Sequence, residues 1–443
     1  MKMNDKNILV PLFDGLKEKG IRYCVLRNYT SLPISAAGSD VDMWIHNDDL
    51  STFYSLIDII KQRNEFELVS FYGDETADKL CYLQSEAGVQ IDVFKGHIYY
   101  KGLVMIDGDA ILKHTVLYNG IRVLDDGFAN IIAFIKEIIN NGICESKYYE
   151  TVLNKPIYTK EYLCENLYMF DEIFISLLYE ALNSDRIESL MYELCIKARN
   201  GLSLKYFSFV GIELKKLKRL FKRPGYVIVV EGTDGSGKSF IINTISPILN
   251  EAFHRGVVYN HLRPNVIPDI AVLMGKRKKA EKEEVVVVSD PHAGKQSGFV
   301  GSIVRWGYYM IDYIFGYLKK VWPAIHTKSK VFIFDRYYYE YYFDQKRSHT
   351  SLPQWILRVG EWFLPRPDLI LCLGGDPKKI YERKPETSLE EVTRQTKVLK
   401  DFCAKRKNAV WIDTTIAPEE SVRCAMDAIC DMMSKRFANV KLK

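Results

Sequence analysis

The sequence lacks the patterns that define several large classes of protein. Its nine cysteines form no C-x-x-C pair and its eight histidines no H-x-x-x-H pair, so we expect reduced thiols and no zinc site. The first ten residues, MKMNDKNILV, have no apolar core of the length that a signal peptide needs. We therefore expect a cytoplasmic protein.

The sequence also has no long apolar run that is free of charge. Its most apolar stretch, residues 299–322, contains Arg305 and Asp312. Each of these charges would cost roughly 2.5 to 3.5 kcal/mol near the middle of a lipid-facing helix, so we expect a helix packed within the protein and no transmembrane segment. Peripheral contact with a membrane surface stays open.

Charge of one sign is in only small excess. A net charge of +5 over 443 residues is too small to indicate a nucleic-acid-binding protein, although it suits an enzyme that handles phosphates. Hydrophobic residues make up 47% and charged residues 26%, which excludes general disorder. A chain of this length predicts two or three domains.

The second half of the sequence contains a phosphate-binding motif. Residues 231–239 read EGTDGSGKS and match G-x-x-x-x-G-K-[ST], with an apolar strand predicted at 226–230 and a helix at 240–249. In such a loop, backbone N–H groups converge on phosphates, the lysine adds a charge and the serine hydroxyl ligates Mg²⁺. The motif therefore predicts a site for ATP and Mg²⁺ made by Gly232, Gly235, Ser236, Gly237, Lys238, Ser239 and Phe240.

Two further charged positions follow predicted strands. A buried strand at 331–334 ends at Asp335, which we expect to hold Mg²⁺ together with Ser239. Arg336, the next residue, is placed to clamp an acceptor phosphate. Arg263 follows a strand at 257–260, at the end of the sheet where open α/β folds bind ligands.

The order of elements predicts the fold of this half. Additional strands at 369–373 and 410–413 continue an alternation of strands and helices, which is typical of a doubly wound parallel sheet. We place this domain at residues 224–443.

Four motifs of this half resemble thymidylate kinase: GTDGSGKS, Asp335-Arg336-Tyr337, PDLILCLGGDPKKIYERK and WIDTT. The resemblance implies that Asp234 arranges the acceptor phosphate and that Arg336 binds it. Gly235 stands where some thymidylate kinases have a catalytic arginine, which implies that Arg383, at the start of the lid, supplies that charge. We add Arg305 to the candidate substrate-binding residues.

The acceptor need not be dTMP. Thymidylate kinases commonly read R-E-P-G after the second strand, whereas residues 261–265 read HLRPN, and a long insertion follows at 266–298. Within it, Asp290-Pro291-His292 and Lys295 form either a pocket edge or a turn. This variant resembles thymidylate-kinase-like proteins of bacterial surface-polysaccharide loci, so both a nucleoside monophosphate and a sugar or glycan-related acceptor stay open.

The first half of the sequence contains a candidate metal site. Asp40 and Asp42 are two residues apart on a predicted strand at 41–45 and thus share a face, and Asp92 on a strand at 89–94 can add a third carboxylate. Three hard oxygen ligands suit Mg²⁺. Arg27 is placed either to contact a triphosphate or to pair with Asp40 or Asp42.

This arrangement resembles the DNA polymerase beta-type nucleotidyltransferase superfamily, which implies an α+β domain at residues 1–125. Residues 26–29 read LRNY where the superfamily usually has a Gly-Ser or Gly-Gly turn. A domain that only recognises a substrate therefore stays open. Helical periodicity dominates residues 126–223, a region that we interpret as linker and pocket wall, ending in a basic helix from residue 213.

The sequence thus predicts an α/β multidomain protein whose C-terminal domain is a kinase. The expected activity is ATP- and Mg²⁺-dependent phosphate transfer of the nucleoside-monophosphate kinase type, fused to a nucleotidyltransferase. The alternative is an ATP-binding module that regulates the first domain. The expected partner is a small-molecule phosphate acceptor and not a nucleic acid, with homodimer formation left open.

Overall fold

A computed structural model describes residues 7–73, 77–100, 103–184, 186–201, 223–268, 270 and 296–442. The chain divides into two compact units. Unit 1 comprises Met1–Leu83, Val89–Phe221 and Phe437–Lys443, and unit 2 comprises Gln84–Gly88 and Lys222–Arg436. The basic helix expected from residue 213 lies outside the described residues up to residue 222, as do Asp290, Pro291, His292 and Lys295.

Unit 1 is built on a mixed seven-stranded sheet of order β3-β4-β5-β2-β1-β9-β8, beside a two-stranded sheet of β6 and β7. Strand β2 lies in the middle, parallel to β5 and antiparallel to β1, and all five of its residues are buried. The strands are β1 Tyr23–Val25, β2 Val41–Ile45, β3 Glu67–Gly73, β4 Ala77–Leu83, β5 Gly88–Lys95, β6 Ile98–Tyr100, β7 Leu103–Ile106, β8 Thr115–Tyr118 and β9 Ile121–Leu124.

The helices of unit 1 include a long amphipathic one that covers the sheet. Helix α4 buries Phe128, Ile131, Phe134, Ile135, Ile138 and Ile139 along one side, at the helical spacing that the sequence predicts, and it ends at Gly142 with φ of 74°. These side chains pack in one core with Trp44 of β2. The helices are α1 Leu9–Glu18, α2 Leu50–Arg63, α3 Gly108–Lys113, α4 Asp126–Asn141, α5 Ser146–Tyr149, α6 Lys160–Asn166, α7 Glu172–Leu182 and α8 Ile187–Gly201.

Unit 2 contains a five-stranded sheet of order β11-β12-β10-β13-β14, in which every pairing is parallel. The strands are β10 Tyr226–Gly232, β11 Val257–His261, β12 Val331–Asp335, β13 Leu369–Gly374 and β14 Ala409–Asp413. The connection from β12 to β13 crosses β10, so the strand order switches at β10. Ligands bind at the carboxyl ends of the strands at such a point.

In unit 2, helices alternate with strands along the sequence. They are α9 Lys238–Ala252, α10 Phe299–Ile311, α11 Trp322–Thr327, α12 Glu340–Phe343, α13 Gln354–Trp362, α14 Pro377–Arg383, α15 Leu389–Ala404 and α16 Pro418–Phe437. A π-helical stretch, Asp312–Val321, joins α10 to α11. No helix in the described ranges combines the length and apolarity that crossing a membrane requires. The parallel sheet confirms the mixed α/β class.

Candidate active sites

The loop between β10 and α9 depends on two glycines. Gly235 has φ of 81° and Gly237 has φ of 83°, a left-handed region that other residues enter only with strain. A Cβ atom on Gly235 would lie 2.6 Å from the carbonyl oxygen of Ile380. A side chain at this position would therefore require the loop or the Ile380 backbone to shift.

Lys238 begins α9 and folds back over this loop. Its Nζ donates hydrogen bonds of 2.9 Å to the carbonyl oxygens of Gly232 and Thr233. Burial and the nearby Arg336 lower the pKa of Lys238 to about 8, against the opposing effect of Asp234 and Asp335. The next residues, Ser239 and Phe240, are exposed on the first turn of the helix.

Asp335 ends β12 at the same edge of the sheet, in register with Val230 of β10. Its Oδ2 accepts a hydrogen bond of 3.1 Å from the Tyr259 hydroxyl and lies 3.7 Å from Nδ1 of His261. Burial raises the pKa of Asp335, but His261 and the cations of Lys238 and Arg336 outweigh it and hold the pKa below its usual value.

The other carboxylate oxygen of Asp335 is a candidate ligand atom. Oδ1 is buried and has no hydrogen-bond partner among the described residues. An ionised carboxylate with one oxygen left over is the donor that Mg²⁺ prefers. Together with the exposed hydroxyl of Ser239, it fits the metal that accompanies a nucleoside triphosphate.

Arg336 is buried beside the loop in a left-handed conformation, with φ of 70°. Its Nη2 donates a 2.6 Å hydrogen bond to Asp234, and its Nη1 donates to Glu340 and, at 3.2 Å, to the carbonyl oxygen of Gly232. The second oxygen of Asp234 accepts a 2.6 Å hydrogen bond from Arg347. Asp234 therefore holds two guanidinium groups next to the phosphate loop.

Sequence reasoning missed Arg347, Glu340 and Glu231 as parts of this cluster. Glu340 lies four residues after Arg336, a spacing that could have indicated the ion pair, whereas Arg347 has no local signal. Glu231 is fully buried and accepts a 2.8 Å hydrogen bond from the backbone N–H of Tyr337. Burial and the neighbouring Glu340 raise the pKa of Glu231 well above its usual value.

Two other predicted arginines pair with residues outside the set of charges around Arg336, and the partner of Arg383 borders the phosphate loop at Gly237. Arg383 donates a 2.9 Å hydrogen bond to the carbonyl oxygen of Thr414. Arg263 donates a 2.8 Å hydrogen bond to the buried Asp312 and lies over the Tyr309 ring. Their roles in catalysis and substrate binding stay predictions.

Arg305 is half-buried on α10. No ion pair or hydrogen bond joins its side chain to any residue of the described ranges.

Unit 1 brings its three predicted aspartates together. Asp42 of β2 is in register with Asp92 of the parallel strand β5, and Asp40 immediately precedes β2. One carboxylate oxygen from each lies within 4.8 Å of the others, and all three side chains are buried. The adjacency of β2 and β5 produces this convergence.

Cations surround the aspartate cluster. Arg27 pairs with Asp42, and its Nη2 lies 3.6 Å from Asp40, while Lys79 of β4 pairs with Asp92. Burial raises the pKa of Asp42, against the opposing effect of Arg27, and raises that of Asp92 to about 6, against Lys79. Burial and, to a smaller extent, the positive charge of Arg27 lower the pKa of Lys136 on α4. Sequence reasoning missed both lysines, which lie far from any motif.

The donor set of this cluster fits a hard divalent cation. Three carboxylates converge within ligating distance, and oxygen ligands suit Mg²⁺. Burial raises the pKa values of Asp42 and Asp92 even with Arg27 and Lys79 beside them, so a further cation would favour their ionised forms.

No protein-family model matches the sequence, and no curated protein matches it either. Among the solved structures that do match is thymidylate kinase from Ehrlichia chaffeensis, at 16% identity and a TM-score of 0.31. The match covers 46% of this chain and 99% of that chain. A likeness this weak carries no argument about the function of this chain.

Proposed function

We propose that unit 2 is an ATP- and Mg²⁺-dependent phosphotransferase of the nucleoside-monophosphate kinase type. The observation that carries the proposal is the set of charges around one loop at the carboxyl edge of the sheet. Lys238 donates to a carbonyl oxygen of the loop, and Oδ1 of Asp335 has no hydrogen-bond partner among the described residues. Arg336 is buried and donates a hydrogen bond to Asp234. A site that only binds ATP needs the loop alone, so the buried arginine favours transfer over sensing.

Each of these groups has a task in phosphate transfer. The ammonium of Lys238 exchanges its two carbonyl partners for phosphate oxygens of ATP, and its charge stabilises the transition state. Asp335 and Ser239 hold Mg²⁺, which neutralises phosphate charge when bound. Arg336 and Arg347, oriented by Asp234, bind the phosphate of the acceptor. Catalysis is then mainly positioning.

The acceptor is a small molecule with a phosphate, either a nucleoside monophosphate or a sugar or glycan-related compound. The acceptor screen uses labelled ATP against nucleoside monophosphates, sugar phosphates and glycolipids. In the regulatory alternative, ATP turnover is slow and no acceptor accelerates it, while ATP changes the behaviour of unit 1.

The test of the kinase proposal is Lys238→Ala, with Lys397→Ala as the control because Lys397 is an exposed lysine on α15. We expect Lys238→Ala to lower acceptor-dependent turnover by about 10²-fold or more, as loss of one transition-state donor does. Lys397→Ala should match the wild type. Wild-type turnover in the Lys238→Ala protein would contradict the kinase proposal for unit 2.

We propose in addition that unit 1 is a Mg²⁺-dependent nucleotidyltransferase. The convergence of Asp40, Asp42 and Asp92 supports this second function. Such carboxylates hold Mg²⁺, which neutralises a triphosphate and activates an oxygen nucleophile when bound. Arg27, Lys79 and Lys136 then supply positive charge for the phosphates.

The competing possibility is a domain that only recognises a substrate, with the aspartates serving as partners of Arg27 and Lys79. Asp42→Asn distinguishes the two. We expect it to reduce transfer of label from nucleoside triphosphates by orders of magnitude and to leave kinase turnover intact. Asp58→Asn is the control, because this carboxylate on α2 is half-exposed and pairs with Lys61. Transfer that Asp42→Asn leaves unchanged would contradict the proposal.

A further inference from the structure

Two helices of unit 2 that touch each other carry large apolar side chains on their outer surfaces. They meet where Gly360 of α13 packs against the Trp306 ring of α10, a contact that leaves no space for a Cβ atom. Ile356 and Leu357 lie on the inner side of α13, and Met310 lies on the inner side of α10. We call the outer sides of α10, the π-helical stretch and α13 the apolar face.

The apolar face consists of exposed aromatic side chains on and after α13 and a periodic set of exposed apolar side chains along α10 and the segment that follows. On α13 and just after it, Trp362 is 80% exposed, Phe363 66% and Trp355 64%. Along α10 and the segment that follows, exposed apolar side chains recur at spacings of three, four and seven, namely Val300, Val304, Ile311, Phe315, Leu318 and Trp322. Single exposed apolar residues are ordinary on protein surfaces, but a periodic set of aromatic and aliphatic ones marks an interaction site.

The exposed charges on these helices are all positive. The acidic residues in 296–327 and 353–366 are Asp312, which is buried against Arg263, and Glu361, which Arg406 contacts at 2.7 Å. Lys319, Arg358 and Arg366 are exposed. The surface therefore combines tryptophan and phenylalanine with cations and offers no unpaired carboxylate in these two ranges.

We propose that the apolar face binds the surface of a membrane containing anionic lipids. Tryptophan and phenylalanine insert favourably at the boundary of headgroups and acyl chains, and lysine and arginine attract anionic headgroups. A second copy of the chain fits less well, because a two-fold interface places a patch against itself and would bring its cations together. This docking is independent of the reaction proposed for unit 2.

The experiment is co-sedimentation of the full chain with vesicles of phosphatidylcholine, with and without phosphatidylglycerol. One variant combines Trp355→Ser, Trp362→Ser and Phe363→Ser. The control combines Ile173→Ser and Tyr192→Ser, which remove exposed apolar side chains from unit 1. We expect the first variant to lose about tenfold or more in vesicle affinity and the control to keep it. Arg358→Gln should weaken binding only to vesicles that contain phosphatidylglycerol.

Three results would overturn the proposal. The wild-type chain does not sediment with phosphatidylglycerol vesicles, or the triple variant sediments as well as the wild type. In the third, light scattering shows a wild-type dimer that the triple variant dissociates, which would assign the face to a second copy. If the triple variant fails to fold, Trp362→Ser alone replaces it, because that side chain is the most exposed of the three.

Discussion

The charged clusters of the two units differ in how their buried charges are compensated. In unit 2, Asp234 is held between two arginines and Asp335 lies near cations, so both carboxylates have lowered pKa values. In unit 1, burial outweighs the neighbouring cations and the pKa values of Asp42 and Asp92 are raised. The cations of unit 2 therefore keep Asp234 and Asp335 ionised, although burial raises the pKa values of Glu231 and Glu340 in the same cluster. In unit 1, a further cation would favour the ionised forms of Asp42 and Asp92.

The largest expected effect comes from removing Arg336, whose positive charge compensates carboxylates in unit 2. Arg336→Ala removes an ion-pair partner from the buried Glu340 and the partly buried Asp234, and leaves Arg347 as the remaining arginine beside both carboxylates. We expect it to lower the free energy of unfolding by about 3–5 kcal/mol, as loss of one member of a buried ion pair does. Thermal or urea unfolding measures this.

The control for this variant is Lys397→Ala, which changes an exposed charge on α15 and should shift stability little. An Arg336→Ala protein as stable as the control would show that the cluster is not electrostatically coupled to the fold.

A second prediction concerns the spare oxygen of Asp335. Asp335→Asn keeps the shape but removes the charge that we assign to Mg²⁺, so we expect acceptor-dependent turnover to fall about 10²- to 10³-fold. The apparent affinity for Mg²⁺ should weaken as well. Magnesium titrations of turnover measure both. Asp413→Asn, at the end of β14, is the matched control, because Oδ1 of Asp413 accepts a 2.6 Å hydrogen bond from the Thr415 hydroxyl. Unchanged Mg²⁺ dependence in Asp335→Asn would remove Asp335 from the metal site.

The sequence predicted the local parts of both clusters better than the distant ones. The phosphate-binding motif occupies nine consecutive residues, from the end of β10 to the first turn of α9, so the conformation of its loop follows from its own glycines. Alternation along β2 likewise predicted that Asp40 and Asp42 share a face. Such features need no knowledge of strand order.

Partners supplied by other elements could not be read in the same way. Lys79 reaches Asp92 because β4 lies beside β5, and sequence periodicity does not specify that neighbour. Arg263 follows β11, and its partner Asp312 lies 49 residues later in the chain. The choice of partner depends on how helices and strands pack, which no local pattern determines.

A third prediction tests the shape of the loop in unit 2. Gly237→Ala and Gly235→Ala both place a side chain at a left-handed φ, which costs roughly 1–2 kcal/mol. At Gly237 the nearest atom to the new Cβ would be 3.9 Å away, on Thr414, whereas at Gly235 it would meet the Ile380 carbonyl oxygen. We therefore expect Gly235→Ala to be the more destabilising of the pair. Equal melting temperatures would show that the loop relaxes away from α14.

The smallest expected effect is the pH dependence of metal binding in unit 1. Asp92 has a pKa of about 6, above its usual value, so the folded state binds a proton there that the unfolded state has released between about pH 4 and 6. In EDTA, this group therefore makes unit 1 less stable as the pH rises through that range.

Mg²⁺ binds the ionised carboxylate, so the affinity for Mg²⁺ should increase about tenfold from pH 5 to pH 7. The measurement is the shift in melting temperature with Mg²⁺ at each pH. Asp92→Asn should weaken both trends, with Asp42 accounting for what remains, while Asp58→Asn retains them in full. A Mg²⁺ effect independent of pH would contradict metal binding by Asp92.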